Sequence, residues 1–175
     1  MLRSRMKGPI IVQVRSPADI VAAQALFREY MDWTNTLGFD SGDAPTFDGF
    51  EEEVATLPGI YVPPSGRLLL ATVSGMPAGC VALRPHAGTT CELKRLYVRP
   101  EFRGRRVGWL LVERLLDEAR SSGYSRMVLD SHRSMTKAHE IYAAHGFRTV
   151  GPPEDFPESL KPIVVFMECD LVSRL

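Results

Sequence analysis

Arg99, Arg103, Arg105 and Arg106 fall within one short stretch, "VRPEFRGRRVGWLLVERLLDEA", just where an amphipathic helix begins. A helix N-terminus leaves backbone N–H groups unpaired and carries the positive end of the dipole, so it attracts phosphate. Gly104 and Gly108 remove side chains where backbone would approach a ligand closely. Arg103, Arg105 and Arg106 add donors suited to phosphate oxygens. The competing reading is a solvated charged face, the usual place of surface arginine. The turn is not a Walker loop, because no Gly-Lys-Ser/Thr follows. Nor is it a dinucleotide fingerprint, because Gly-x-Gly-x-x-Gly is absent.

The rest of the composition narrows the ligand. The 21 Lys and Arg are matched by 21 Asp and Glu, which argues against broad binding of nucleic acid or an anionic membrane. A local basic cluster in a neutral chain points instead to a compact anion. At 175 residues the chain is expected to form one domain, 1–175, with a substantial core. No apolar run approaches the roughly 20 residues of a membrane span. The basic start "MLRSRMKGPI" lacks the apolar stretch of a secretory signal, and a cytoplasmic location is the expectation. Cys80, Cys91 and Cys169 lie in apolar, strand-like runs without metal-ligand spacing, as buried free thiols do. The four histidines, His86, His132, His139 and His145, form no triad or zinc pattern. No metal is expected, and surface or core histidine is the default for all four, with His132 the one that could line an acceptor cleft.

The elements that must position the arginine turn follow from periodicity. "PIIVQVR" alternates as a strand, and Ser16 and Pro17 start a helix with Ile20, Ala23, Phe27 and Tyr30 at helical spacing. A polar loop, "TNTLGFDSGDAPT", leads to a second helix, "FDGFEEEVATL", ended by Pro58-Gly59. "GRLLLATVSG", "MPAGCVALRPH" and "TTCELKRLYVRP" read as three strands separated by turn residues, the first two an antiparallel hairpin continuing into the third. Residues 106–122 form the third helix, with Val107, Leu110, Leu111, Leu115 and Ala119 on one stripe and Gly123 as its stop. "YSRMVLDS" is a fifth strand, "SMTKAHEIYAAH" a helix broken by Gly146, and "GFRTVG" and "KPIVVFMECDL" close the chain as strands. The proline-rich loop "PPEDFPESLKP" between them is expected to lie over a site or an edge. Antiparallel strands followed by helical crossovers describe a mixed α/β (α+β) sheet domain.

The segment "ELKRLYVRPEFRGRRVG" resembles the acetyl-coenzyme A-binding core of the GNAT superfamily of N-acetyltransferases, in which an Arg/Gln-x-x-Gly-x-Gly/Ala turn holds the pyrophosphate. Arg103, Val107 and Gly108 fit that turn; Arg106 stands where the first of its two glycines is usual. "LDSHRSMTKAHEIYAAHGF" resembles the superfamily's later element, with Ala138, Tyr142, Gly146 and Phe147 in register. "FREYMDW", "LPGIYVPPSGRLLLA" and "GCVALRP" are similar to small bacterial members, so the resemblance spans most of the chain.

The resemblance implies a central sheet of antiparallel and parallel strands, flanked by helices and splayed at the acyl-coenzyme A site. It implies acetyl-CoA as acyl donor, bound by Leu96, Tyr97, Val98, Arg103, Gly104, Arg105, Arg106, Val107, Gly108, Trp109 and Ala138. Backbone groups of Leu96 and Val98 would meet the acetyl carbonyl and pantetheine arm. Tyr142 would protonate the departing thiolate; its other reading is a core aromatic. Glu92, four residues before Leu96, stands where a base would take the amine proton directly or through water; its other reading is a partner for Lys94 or Arg95. Met135 replaces a usual asparagine. The acceptor side would be built from Asp32, Trp33, Tyr61, Glu154 and Asp155.

An N-acetyltransferase acting on a primary amine of a small molecule by direct attack is the first reading. The alternatives are an enzyme acting on a protein or peptide amine and a non-catalytic acyl-CoA-binding module. A nucleotide- or phosphate-binding protein rests on the arginine turn alone. A homodimer is compatible with all of them.

Overall fold

Residues 68–71 are apolar at every position, so a strand there must be covered on both faces. A computed structural model describes residues 8–38 and 49–172. It contains β1 (Ile10–Gln13), α1 (Pro17–Asn35), α2 (Phe50–Ala55), β2 (Arg67–Val73), β3 (Met76–Ala87), β4 (Thr90–Val98), α3 (Val107–Ser121), β5 (Arg126–His132), α4 (Thr136–Ala144), β6 (Arg148–Val150) and β7 (Val164–Asp170). The strands form one sheet in the order β1-β2-β3-β4-β5-β7-β6. Its neighbours are antiparallel except for β4 and β5, which α3 connects as a parallel crossover. The mixed α/β fold expected from the periodicity is the fold observed.

Each face has its own core. Leu69, Leu83, Leu93 and Met127 pack on one side against Leu111, Leu115 and Ala119 of α3 and Tyr142 of α4. Leu68, Leu70, Ala82 and Tyr97 pack on the other against Leu26 and Phe27 of α1 and Phe50 and Val54 of α2. Ser16 and Asp19 close a capping box at the start of α1, with Pro17 in its first turn. The second helix is shorter than its sequence suggests, and Phe47 and Asp48 at its expected start lie outside the described residues. Residues 39–46 of the predicted polar loop and the basic residues 1–7 also lie outside them. Cys80, Cys91 and Cys169 are buried free thiols. Phe156 of the proline-rich loop packs edge-on against Phe166 of β7, so that loop covers the far part of the sheet.

Two irregularities shape the centre. β4 pairs with β5 only where Thr90, Cys91 and Glu92 face Arg126, Met127 and Val128; beyond that the strands part. β4 also bulges, because Arg95 has φ 58° and the register against β3 shifts between Cys80 and Ala82. Gly79 of β3 makes room for the displaced strand: a Cβ there would stand 2.5 Å from the Tyr97 carbonyl oxygen. A bulge re-aims the side chains that follow it, and after this one Leu96 and Val98 join the α3 side while Tyr97 joins the α1 side.

Candidate active site

The parting of β4 from β5 leaves a small cavity of about 40 Å³, lined from both faces of the sheet. Leu93, Leu96, Ala138 and Tyr142 line it from the α3 and α4 side, and Tyr30 and Trp33 from the α1 side. Lys94, Arg95 and Asp130 lie on its wall where the faces meet. Tyr142 is 4% exposed and its ring leans on Phe147, centroids 5.6 Å apart. Burial pushes the Tyr142 hydroxyl well above the ordinary phenol range, with Tyr30 and Asp130 adding to the shift. Burial likewise pushes Tyr30 up to about 12. A phenol in such a place stays protonated at neutral pH.

Beside this cavity lies a larger one of about 380 Å³, between α2, the turn that follows it, and strands β3 and β4. Arg84, Lys94 and Arg95 line it together with Glu52, Glu53 and Tyr61. Lys94 and Arg95 therefore belong to both cavities. Arg95 is held by Glu53 at 2.6 Å, and the Tyr61 hydroxyl donates to the same carboxylate.

Glu92 lines neither cavity. Its carboxylate accepts from Arg84 Nε at 2.7 Å and faces Lys94 Nζ at 3.5 Å. Burial opposes its charge, but Lys94 and Arg84 outweigh burial and hold the carboxyl below the usual range. The pairing with Lys94 that the sequence offered as the plainer reading is present.

The arginine turn keeps its expected place before α3. Gly104 has φ 76° and Arg106 has φ 61°, so the turn has two left-handed residues, one of them not glycine. No side chain caps α3, which leaves the N–H groups of its first turn open to an anion. Arg103, Arg105 and Arg106 are exposed. Arg106 lies over the ring of Trp109 at 5.5 Å, and Trp109 stacks on His145 with centroids 4.2 Å apart. These features fit a diphosphate.

Several details differ from the sequence expectation. The space left by Gly108 is not on the ligand side: a Cβ there would meet Ile141 at 3.3 Å and Val98 at 3.5 Å. Its lack of a side chain lets α3 approach α4 and the sheet, while Val107, beside it, is buried in the same core. The Val98 carbonyl accepts from Arg103 Nε at 3.0 Å. The ring of Tyr97 turns to the α1 side and packs on Tyr30 and Trp33, so only its backbone faces the cleft. Met135 lines the cavity of Tyr142, and its sulfur accepts from the Ser131 hydroxyl. His132 lines neither cavity and pairs with Ser134 at 2.6 Å. Of the acceptor-side residues, Trp33 and Tyr61 line the cavities, whereas Asp32, Glu154 and Asp155 are exposed away from their walls. Sequence reasoning missed the part of Lys94, Arg95, Arg84 and Asp130; the alternation of β4 was the available signal, and the bulge conceals it.

A turn that fits a diphosphate, followed by a split between parallel strands with a tyrosine in it, is an arrangement with known relatives. The model of the acetyltransferase (GNAT) family matches residues 24–147. The chain belongs to the GNAT family. An uncharacterized N-acetyltransferase of Schizosaccharomyces pombe is 37% identical over 92% of this chain and 94% of its own length. Another from Dictyostelium discoideum is 30% identical over 81% of this chain and 90% of its own. Among solved structures, the PaiA N-acetyltransferase of Thermoplasma acidophilum in complex with coenzyme A superposes with a TM-score of 0.73 at 19% identity, over 94% of this chain and 99% of that one. As a GNAT protein the chain is an N-acetyltransferase, and the chemistry of its family is acyl-CoA-dependent N-acetylation. Among the described residues no helix is long and apolar enough to cross a membrane, and no group of three His, Cys, Asp or Glu could hold a metal ion.

Proposed function

We propose that this GNAT protein transfers the acetyl group of acetyl-CoA to a primary amine of a small molecule by direct attack. The observation that carries the reading is the cavity between the parted strands, with Tyr142 on one side of the sheet, Tyr30 and Trp33 on the other, and Lys94 and Asp130 on its wall. Groups bound on the two faces of the sheet can meet at such a gap, where fixed groups act more strongly than in water. The coenzyme A in the Thermoplasma structure supports an acyl-CoA as donor.

The donor supplies an activated acetyl thioester. Arg103, Gly104, Arg105, Arg106, Val107, Gly108 and Trp109 hold its diphosphate through open N–H groups and guanidinium charge, and Arg103 gives up its bond to Val98 as it turns to phosphate. The backbone of Leu96, Tyr97 and Val98 and the small side chain of Ala138 fix the pantetheine arm. Tyr142 keeps its proton across the working pH range and delivers it to the thiolate as the carbon–sulfur bond breaks. The attacking nitrogen loses a proton to Glu92 through water, since that carboxylate lies outside the cavity wall; its pairing with Arg84 and Lys94 makes it a weak base. Reaction in the cytoplasm as a monomer or homodimer is compatible with this scheme.

Calorimetric titration with acetyl-CoA, beside acetyl-pantetheine, which lacks the diphosphate, tests the donor site; amine-dependent thiol release tests the transfer. The expected result is binding that requires the diphosphate and thiol release only when an amine is added. Equal affinity for both thioesters would remove the turn from the donor site, and donor binding without transfer to any amine would reduce the protein to a binding module.

A further inference from the structure

We infer that the acceptor is an amine with a free carboxylate on the neighbouring carbon, as in an α-amino acid, and that Lys94 anchors the carboxylate at the mouth between the two cavities. This rests on the reading of the small cavity as the place of acetyl transfer.

Lys94 is the observation behind it. Its side chain is 7% exposed, yet Nζ stands 3.5 Å from Glu92 and 3.9 Å from Asp130, both beyond an ordinary N–H···O hydrogen bond. Neighbouring Arg84, by contrast, makes a short contact with Glu92, at 2.7 Å. An ammonium on a cavity wall whose carboxylate neighbours all stand at ion-pair length has room for a closer anionic partner. Lys94 also lines both cavities. A group bound to it sits at the boundary, and an amine one carbon away can point into the cavity of Tyr142.

The surrounding charges favour a zwitterion over a simple cation. Charges of both signs line the two cavities: Arg84, Lys94 and Arg95 with Glu52, Glu53 and Asp130. A zwitterion matches a lining of both signs, with its carboxylate on Lys94 and its nitrogen on the side of Asp130. A polyamine would bring a second positive charge against Lys94 and Arg95, the two residues it must pass. A peptide N-terminus has an amide where the carboxylate is needed. The larger cavity, about 380 Å³, then receives the side chain of the amino acid.

The test uses the full protein, with and without coenzyme A, and titrates the twenty L-amino acids against their α-amides and decarboxylated amines by calorimetry. At least one free acid is expected to bind about tenfold or more tighter than its amide and its amine, the effect of one charge-assisted hydrogen bond. Lys94→Met should erase that preference while leaving affinity for acetyl-CoA within about twofold of wild type. Amides or amines that bind as tightly as the acids would overturn the inference, and this comparison needs only the wild-type protein. Thiol release with acetyl-CoA separates the two claims. Carboxylate-selective binding without acetyl transfer sustains the pocket and removes the enzymatic reading, whereas transfer to amides and amines as readily as to acids does the reverse.

Discussion

The guanidinium of Arg106 lies over the indole of Trp109, 5.5 Å from the ring centroid, while the backbone of Arg106 is left-handed at φ 61°. A left-handed conformation costs an L residue about 1–2 kcal/mol, and a cation–π contact at an exposed site returns about 0.5–1 kcal/mol. The contact thus returns about half the cost of keeping an arginine in a glycine's place.

Arg106→Gly is therefore expected to change stability by less than about 1 kcal/mol, because relief of the backbone offsets the lost contact and the freer unfolded chain. Affinity for acetyl-CoA should fall about tenfold, with a shallower dependence on salt, if the guanidinium faces phosphate. Thermal denaturation and titrations at two salt concentrations measure both. Unchanged affinity and salt dependence would leave Arg106 as a cover for Trp109 and nothing more.

Tyr142→Phe keeps the packing on Phe147 and removes only the hydroxyl. Turnover should drop by about a hundredfold or more, the range of a general acid, with the dissociation constant for acetyl-CoA within about twofold. Burial raises the Tyr142 hydroxyl far above neutrality. The wild-type rate should accordingly show no decline from loss of this proton between pH 7 and pH 9, as a pH–rate profile will check. Turnover equal to wild type would return Tyr142 to the core.

Much of this architecture is legible without coordinates, because it is local. Ser16, Pro17 and Asp19 specify a helix start within four positions, and residues 68–71 declare a strand buried on both faces. The arginine turn and the Ala138–Tyr142 spacing also lie within single elements. What stays hidden depends on partners far apart in the chain. Arg95 meets Glu53 across 42 positions, and both residues line the larger cavity. The bulge at Arg95 reverses the alternation of β4, so counting outward from Glu92 assigns Leu96 to the wrong face. Gly108 shows the same limit: its type signals close approach, but only the packing reveals that Val98 and Ile141 are what approach it.

Glu92 links the site to stability. Its folded carboxyl titrates below its ordinary value of 4.5 because Lys94 and Arg84 outweigh the effect of burial. A group with a depressed folded pKa contributes stability above its unfolded pKa and loses it as pH falls through the folded one. Glu92→Gln should lower the denaturation midpoint at pH 7 and approach wild type as pH falls below about 4. Thermal melts across pH 3–7 measure the gap, and a gap that stays constant would mean that the ion pairs add nothing to stability.

Gly79 offers a separate handle on the splay itself. A methyl group there would sit 2.5 Å from the Tyr97 carbonyl oxygen and 3.3 Å from the Val98 Cα, and both are backbone atoms, which yield less readily than a side chain tip. Gly79→Ala must push β4 away from β3 at the bulge, and overpacking of this kind costs about 1–3 kcal/mol. Because Leu96 and Val98 follow the bulge directly, the same shift should weaken acetyl-CoA binding more than a loss of stability alone explains. Chemical denaturation gives the first quantity, and titration at a temperature where the variant is fully folded gives the second. A destabilised variant with wild-type affinity would show that the bulge supports the sheet without setting the donor site.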